Sequence, residues 1–395
     1  MAALPLHTVE IAPGPEGAVR AAAALAERMD GTGAAFALVP SPSRHISAEY
    51  VAMIRGALRL DVPLEDPDTA LVAATSGSTG IPRGVALTRA NLVAAVEASW
   101  AHVPGLRECS WVIALPVASI GGFGAIVRSL LSGTRLHILP TIGGAAPFRA
   151  RDLLDLDVDE SFAISLVPSQ VVDILGSAET TSWLARARAV LVGAAATPDD
   201  VADRALSAGI RLITTYGMTE TTGGCAYDGV PLPGCLLECD ADGRVLVTGP
   251  QVASGYHGLP DETERAFRGI APQRTFRTGD HGDWRDGRLR IRGRVDDVVT
   301  VHGVNVALGA VESVIRSCFG VRDVAVVAVE DPRQGHRLIA YVTMADPAGL
   351  PAVAPYVAEQ LGGAARPAVV AMDELPHLPN GKIDRLALRA RAAGR

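Results

Sequence analysis

The sequence predicts an α/β protein. A large N-terminal domain of parallel sheets carries a small β-rich subdomain, and a small α+β domain follows. Three observations support this. From residue 70 to about 230, apolar runs alternate with Gly-rich turns and helical spacings, the order that builds a mostly parallel sheet. After Val230, short strands separated by Gly/Asp turns take over. From about residue 298, a new set of strands and helices fills roughly 100 residues, a common domain size. The boundary is placed at 293–298, giving domains at 1–293 and 298–395.

Taken in order, Val19–Met29 has helical propensity, and Ala35–Val39 reads as a short strand ending at Pro40. Leu71–Ala74 is a strand running into a Gly/Ser/Thr loop. Asn91–Ser99 is a helix with Thr88 as its N-cap. Strands follow at Trp111–Leu115, Arg135–Leu139, Phe162–Val167, Ala189–Val192 and Leu212–Thr214. Helices lie between them at Gly124–Leu131, Ser169–Leu175 and Asp199–Ser207. Leu236–Cys239, Arg244–Thr248, Thr275–Thr278 and Arg288–Arg292 are the short strands of the β-rich part. In the last domain, Val298–Val301, Val304–Val306, Val321–Val329, Arg337–Met344 and Ala368–Val370 read as strands. Gly309–Ser317 and Val353–Leu361 read as helices.

Composition narrows the function. A net charge of −7 argues against general nucleic-acid binding, which needs a basic face, but leaves room for a local phosphate pocket. The five cysteines are scattered, with no CxxC pair, which argues for free thiols in a reducing, cytoplasmic compartment and against a zinc site. No basic segment followed by an apolar run marks residues 1–17 as a leader. The long uncharged stretch Cys109–Val127 is broken by Pro116 and several Gly and Ser residues, so no membrane span is read there. Lys382 is the single lysine against 35 arginines. Lysine offers a compact point charge on a flexible stem where arginine offers a planar fork, so its retention here points to a need for one small cation at the end of a reach.

Three loops carry chemistry. In Ala74-Thr75-Ser76-Gly77-Ser78-Thr79-Gly80-Ile81-Pro82-Arg83-Gly84, glycines let the backbone approach an anion while N–H groups and hydroxyls donate to phosphate oxygens. It is not a Walker A loop, since GxxxxGK[ST] is unmet. Thr214-Thr215-Tyr216-Gly217-Met218-Thr219-Glu220 sets an aromatic ring, hydroxyls and a carboxylate in one short stretch, suited to a phosphate and a bridging Mg²⁺. Asp280, in Thr278-Gly279-Asp280, can accept from two sugar hydroxyls. Each of the last two, taken alone, also fits an ordinary turn.

Together with Gly293-Arg294-Val295-Asp296-Asp297 and Pro379-Asn380-Gly381-Lys382, these loops make the chain resemble the adenylate-forming superfamily of acyl-CoA synthetases, nonribosomal adenylation domains and luciferases. Five motifs fall in the family's order across residues 70–388. Within the superfamily, the chain is similar to short o-succinylbenzoate–CoA ligases of actinobacterial type. That likeness rests on Ile120-Gly121-Gly122, Ser165-Leu166-Val167-Pro168-Ser169-Gln170 and Gly223-Gly224-Cys225-Ala226-Tyr227.

The resemblance implies an ATP-dependent acid–thiol ligase. A carboxylate attacks the α-phosphate of ATP to give an acyl-adenylate and pyrophosphate, and a thiol then displaces AMP. The implied partners are a small carboxylic acid, ATP, Mg²⁺ and CoA (or the phosphopantetheine of a carrier protein), with no nucleic acid and no membrane. A homodimer is left open. Lys382, Thr219 and Glu220 are the implied catalytic residues, with Glu220 on Mg²⁺. Thr75, Ser76, Gly77, Ser78, Thr79, Gly80 and Arg83 are expected at the β- and γ-phosphates. Gly193, Ala194, Ala195, Thr215, Tyr216 and Gly217 are expected at the adenine side, and Asp280 and Arg294 at the ribose or phosphates. Residues 294–297 are the implied hinge, with Asp296 turning a mobile C-terminal lid that brings His302 and Gly303 to a CoA tunnel.

The acyl pocket is expected at Ala118, Ser119, Gly122, Arg128 and Gly223. Two departures from the family pattern stand out. Arg83 ends the phosphate loop where lysine is frequent. Ala118 and Ser119 replace an aromatic or histidine pair, which opens the pocket or changes its polarity. Arg128, a cation in an apolar helix, either meets a second carboxylate on the acid or snorkels to the surface or to an acidic partner. Two other readings share the motifs: an aryl-acid adenylating enzyme loading a carrier in trans, and a nucleotide-binding protein without catalysis.

Overall fold

The computed structural model describes residues 4–75, 82–378 and 383–393. Packing divides the chain into two compact units, the first made of residues 1–238 and 246–277 and the second of residues 239–245 and 278–395. Residues 278–293 therefore pack with the C-terminal elements. The hinge at 294–297 concerns a movement and is taken up below as a proposal.

The first unit holds two sheets. Strands β1 (His7–Ile11), β2 (Phe36–Pro40) and β3 (Thr69–Ala74) run parallel, while β4 (Gly84–Thr88) and Gly255–Tyr256 add antiparallel edges. The second sheet has the order β11-β10-β9-β8-β7-β5-β6. It is formed by β5 (Ser110–Ile113), β6 (Leu136–Ile138), β7 (Phe162–Leu166), β8 (Ala189–Val192), β9 (Leu212–Met218), β10 (Gly223–Tyr227) and β11 (Val230–Pro231). From β6 to β9 all pairings are parallel, as the alternating pattern predicts, and β10 and β11 turn back antiparallel. The strands β5 and β8 are buried end to end, which explains their continuous apolar runs.

Helices α1 (Pro15–Asp30), α2 (Ala48–Leu58), α3 (Arg89–His102) and α4 (Ile120–Ser132) cover these sheets. Thr88 caps α3 as expected: its hydroxyl accepts from the Asn91 N–H, and the Asn91 side chain accepts from the Thr88 N–H. Helix α4 begins four residues before the expected Gly124, because Ser119 acts as its N-cap. Phe123 of α4 meets Phe36 of β2 edge to face at 6.1 Å, so α4 packs against the first sheet as well as beside β5.

The second unit is built on a long hairpin, Val321–Asp331 with Gly335–Met344, flanked by the hairpin Val298–Val301/Val304–Ala307 and the parallel strand Ala368–Ala371. Side chains alternate between two cores. Val324 and Val326 face helices Leu308–Arg316 and Leu350–Leu361 through Val311, Ile315, Val353 and Val357. Ala325 and Val327 face Leu388 and Ala392 of helix Arg385–Ala393.

Candidate active site

Five parallel strands of the second sheet (β6, β5, β7, β8 and β9) end at one edge, and expected site residues follow β5 and β8 and lie in and just after β9. Such an edge is the usual ligand crevice of an open α/β sheet. The loops are tied together there. The Gln170 side chain donates to the Ala114 carbonyl (3.0 Å) and accepts from the Val167 N–H (3.0 Å), joining the segments after β5 and β7. The Gly193 N–H donates to the Leu166 carbonyl (3.2 Å), and the Thr215 hydroxyl donates to the Val192 carbonyl (3.2 Å). Gly193, Thr215 and the strand carrying Tyr216 are thus brought side by side. A Cβ on Gly193 would overlap the Thr215 hydroxyl, which is why the position needs glycine. Ala194 next to it adopts a left-handed φ of 70°. Ala195 follows in the same loop.

Gly217 is required by close packing. A side chain there would run into the Gly223 carbonyl and the Gly224 Cα of the paired strand β10. Beyond it, Thr219–Thr221 forms one tight helical turn. Thr221 fastens the turn, its hydroxyl accepting from the Met218 N–H (3.0 Å) and lying 2.7 Å from the Gly223 carbonyl. Thr222, with φ 55°, donates to the Gln251 carbonyl (2.6 Å). Thr219 and Glu220 are left at 7 % and 9 % exposure at the edge of the sheet.

Glu220 is held from the first sheet. The Tyr256 hydroxyl donates to its carboxylate at 3.0 Å, and its backbone carbonyl accepts from the Ala253 N–H at 2.9 Å. Burial, reinforced by the Glu220 negative charge, raises the Tyr256 pKa and keeps the phenol a donor. Arg83 lies over the Tyr256 ring, 5.0 Å from its centroid, and pairs with Glu262 at 2.7 Å. Arg83 also closes the loop that begins at Thr75. The Thr75 N–H donates to the Arg83 carbonyl (2.8 Å), and the Arg83 N–H donates to the Thr75 hydroxyl (2.9 Å). Ser76, Gly77, Ser78, Thr79 and Gly80 lie outside the described residues, as do Lys382 and the side chain of Asp296. Tyr256 and Glu262 were not anticipated from the sequence. Their role appears only when the strand Gly255–Tyr256 pairs with β4 and carries the ring to Arg83.

The expected acyl-pocket residues gather around α4 and β10. The Ser119 hydroxyl donates to the Pro116 carbonyl at 2.7 Å, and Ala118 is half-buried beside it. Gly122 lies so close to the Pro116 carbonyl that a Cβ would overlap it, and Gly223, with φ 102°, faces open space. Arg128, one turn past Gly124, folds back along α4. A Cβ at Gly124 would lie 2.8 Å from its Nη1. The guanidinium lies on the Trp111 ring (5.0 Å) and reaches only two neutral oxygens, Ser99 Oγ and Tyr227 Oη, both at 3.4 Å. Among the described residues it has no carboxylate partner, so the acidic-partner reading falls away.

In the second unit, Asp280 pairs across the strand Thr275–Arg285 with Arg294, whose Nη1 is 3.3 Å from its carboxylate. The Asp280 N–H donates to the Thr278 hydroxyl (3.0 Å), and the Arg294 guanidinium lies against Gly279. His302 and Gly303, with φ 50° and 80°, form the two-residue turn of the hairpin Val298–Val301/Val304–Ala307. His302 lines a cavity of about 290 Å³ with Gln334, Arg337 and Arg366. No described helix is long and apolar enough to cross a membrane.

A buried carboxylate, adjacent hydroxyls and close-approach glycines at the carboxyl edge of a parallel sheet suit a nucleotide, and the matches that follow make the chain an AMP-forming acyl-CoA synthetase by class. Residues 30–257 match the AMP-binding enzyme family and residues 310–382 its C-terminal domain. The chain belongs to the AMP-binding enzyme family. It is 35 % identical over 371 residues to a Mycobacterium tuberculosis protein named "Probable 2-succinylbenzoate--CoA ligase", covering 91 % of this chain and 92 % of that one. It is 30 % identical over 326 residues to the 2-succinylbenzoate–CoA ligase of Salmonella typhimurium, covering 80 % and 67 %. The fold matches the o-succinylbenzoate CoA synthetase of Bacillus subtilis solved with its acyl-adenylate intermediate. The TM-score is 0.73 at 23 % identity, covering 98 % of this chain and 88 % of that one.

Proposed function

We propose that this chain is a 2-succinylbenzoate–CoA ligase, joining a dicarboxylic aryl acid to CoA through an acyl-adenylate. The observation that carries the substrate class is Arg128. It is a half-buried cation on the helix that Ser119 caps, and among the described residues it has the Trp111 face and two long contacts to neutral hydroxyls. Such a guanidinium favours an anion, and an acid with two carboxylates supplies one after the other has been activated. The Mycobacterium tuberculosis relative that matches it over 91 % of its length and the Salmonella typhimurium relative carry this substrate in their names.

In the first half-reaction, one carboxylate oxygen bonds to the α-phosphorus of ATP and the bond to the β-phosphate oxygen breaks, releasing pyrophosphate. Two anions must meet, so positioning and charge neutralisation dominate. Lys382 supplies the point cation between the incoming carboxylate and the α-phosphate. Thr75, Arg83 and the hydroxyls at Ser76, Ser78 and Thr79 hold the outer phosphates. Thr219 contacts the α-phosphate, Tyr216 and the Gly193–Ala195 loop flank adenine, and Asp280 with Arg294 takes the ribose.

The donors also fit Mg²⁺. Glu220 presents a buried carboxylate steadied by Tyr256, and no cluster of three or more His, Cys, Asp or Glu residues able to hold a metal occurs among the described residues. Mg²⁺ prefers one or two carboxylates plus substrate phosphates, so Glu220 and Thr219 would hold it on the nucleotide, where it would neutralise phosphate charge. In the second half-reaction, the CoA thiol bonds to the acyl carbon and AMP leaves. The 294–297 hinge with Asp296 turns the lid, and His302 and Gly303 line the thiol's path.

The test is pyrophosphate release across a panel of aryl mono- and dicarboxylic acids, with and without CoA. Release dependent on 2-succinylbenzoate and thioester formed only with CoA are expected. Release with every acid except dicarboxylic ones would refute the substrate assignment.

A further inference from the structure

We propose that Glu312 and Arg385 form a positioning pair that anchors, on the second unit, the described residues flanking the segment that carries Lys382. The proposal rests on the catalytic reading of Lys382 given above. The segment is closed at its base by described residues: His377 and Ile383 form an antiparallel bridge, and the Asp384 N–H donates to the Pro376 carbonyl at 2.7 Å. Arg385 lies two residues beyond that bridge and begins helix Arg385–Ala393.

Its guanidinium grips Glu312 with both nitrogens, Nη1 to Oε1 at 2.6 Å and Nη2 to Oε2 at 2.9 Å. Nη1 also reaches the Val326 carbonyl at 3.1 Å, and the Val326 N–H donates to Glu312 Oε1 at 2.7 Å. Glu312 is 6 % exposed. The three partners come from separate elements: helix Leu308–Arg316, the strand Val321–Asp331 and the start of the last helix. A forked pair of this kind sets orientation as well as distance.

Stability alone does not call for it. Leu388 and Ala392 already bury the last helix in an apolar core, and a buried ion pair is often no more stabilising than apolar residues of the same volume. A buried pair contributes register, because only one rotation of the helix start satisfies both nitrogens and the Val326 strand. The same field reaches the hinge. The Asp297 carboxylate, one residue past Asp296, lies 3.8 Å from Arg389 of the last helix and feels Arg385, Arg294 and Glu312. Asp297 and the start of the last helix at Arg385 are therefore referenced to one charge cluster within the second unit.

The experiment compares the full-length protein with Arg385→Met, Glu312→Gln and Arg385→Lys. Three quantities are measured: adenylation by pyrophosphate release, thioester formation from supplied acyl-adenylate, and amide hydrogen exchange. Arg385→Met and Glu312→Gln are expected to lower the adenylation kcat by about tenfold or more while moving the KM for ATP and the thioester step by less than about threefold. Arg385→Lys, which keeps the charge and loses the fork, should fall between. Exchange should quicken across residues 376–388 while the 321–344 hairpin stays protected. Wild-type exchange across 376–388 would overturn the proposal. So would equal loss of both half-reactions, or faster exchange with adenylation intact. Lys382→Ala run alongside separates the readings: if it adenylates normally, the role given to the lysine has failed whatever the pair does.

Discussion

Replacing Arg128 with methionine keeps most of the side-chain volume and removes the charge. In the wild type the guanidinium has the Trp111 face at 5.0 Å and two hydroxyls at 3.4 Å, beyond a good hydrogen bond. Among the described residues little of its hydrogen-bonding capacity is met, so a substrate carboxylate would take most of it. A hydrogen bond to a charged group contributes about 1.5–3 kcal/mol net, and a unit pair at ~4 Å in an effective dielectric of ~20 about 4 kcal/mol before desolvation. Together these place the loss at about 2–3 kcal/mol, roughly 30- to 150-fold in kcat/KM for a dicarboxylic acid. A matched monocarboxylic acid should change by less than about threefold, because the stacking on Trp111 contributes only about 0.5–1 kcal/mol. The assay is steady-state pyrophosphate release with both acids, wild type and variant side by side. Equal loss for the two acids would refute the argument by showing that Arg128 only supports the fold. Unchanged discrimination would place the second carboxylate elsewhere.

The glycines separate function from freedom. Gly217→Ala drives a methyl into backbone atoms of Gly223 and Gly224, and is expected to destabilise by about 1–3 kcal/mol in urea and to abolish pyrophosphate release. Gly56→Ala, at an exposed α2 position with nothing within 4 Å, is expected to stabilise by about 0.5–1 kcal/mol with activity unchanged. Burial pushes the Cys235 thiol up to about 11 from 9.0, so its contribution to stability is complete below pH 9 and lost as pH rises toward 11. Denaturation against pH should show that loss, and Cys235→Ala should flatten it; identical profiles would contradict the burial argument. Burial likewise raises the Asp297 carboxyl above 3.8, so its ionised form at neutral pH opposes folding. Asp297→Asn is then expected to raise the melting temperature at pH 7 and to give no gain below pH 3.8; a lower melting temperature at pH 7 would show that the arginines around it outweigh desolvation.

Much of the first unit was legible because its central strands β2, β5 and β8 are buried throughout and its turns are rich in glycine. Ala189–Val192 and Asp199–Ser207 fall where the pattern puts them. The strand after Leu212 runs on to Met218, past the expected Thr214, because Gly217 and Tyr216 pair with β10 rather than opening a loop. Helix α2 carries no strong periodic signal in a Pro-rich neighbourhood, and the last helix follows a motif that reads as loop, so both escaped the sequence reading. Gly193 and Gly217 could be singled out because a close backbone approach leaves a glycine in the sequence, while the roles of the phosphate loop and Glu220 rest on the family resemblance. Tyr256 behind Glu220, and Glu312 gripping Arg385 across 73 residues, depend on long-range pairing and leave no local mark.

The most direct measurement is Lys382→Ala assayed separately for the two half-reactions. A fall in pyrophosphate release of about a hundredfold or more, with thioester formation from supplied acyl-adenylate nearly intact, is the outcome expected of a lysine that serves only the joining of two anions. Normal pyrophosphate release, or parallel loss of both steps, would contradict it.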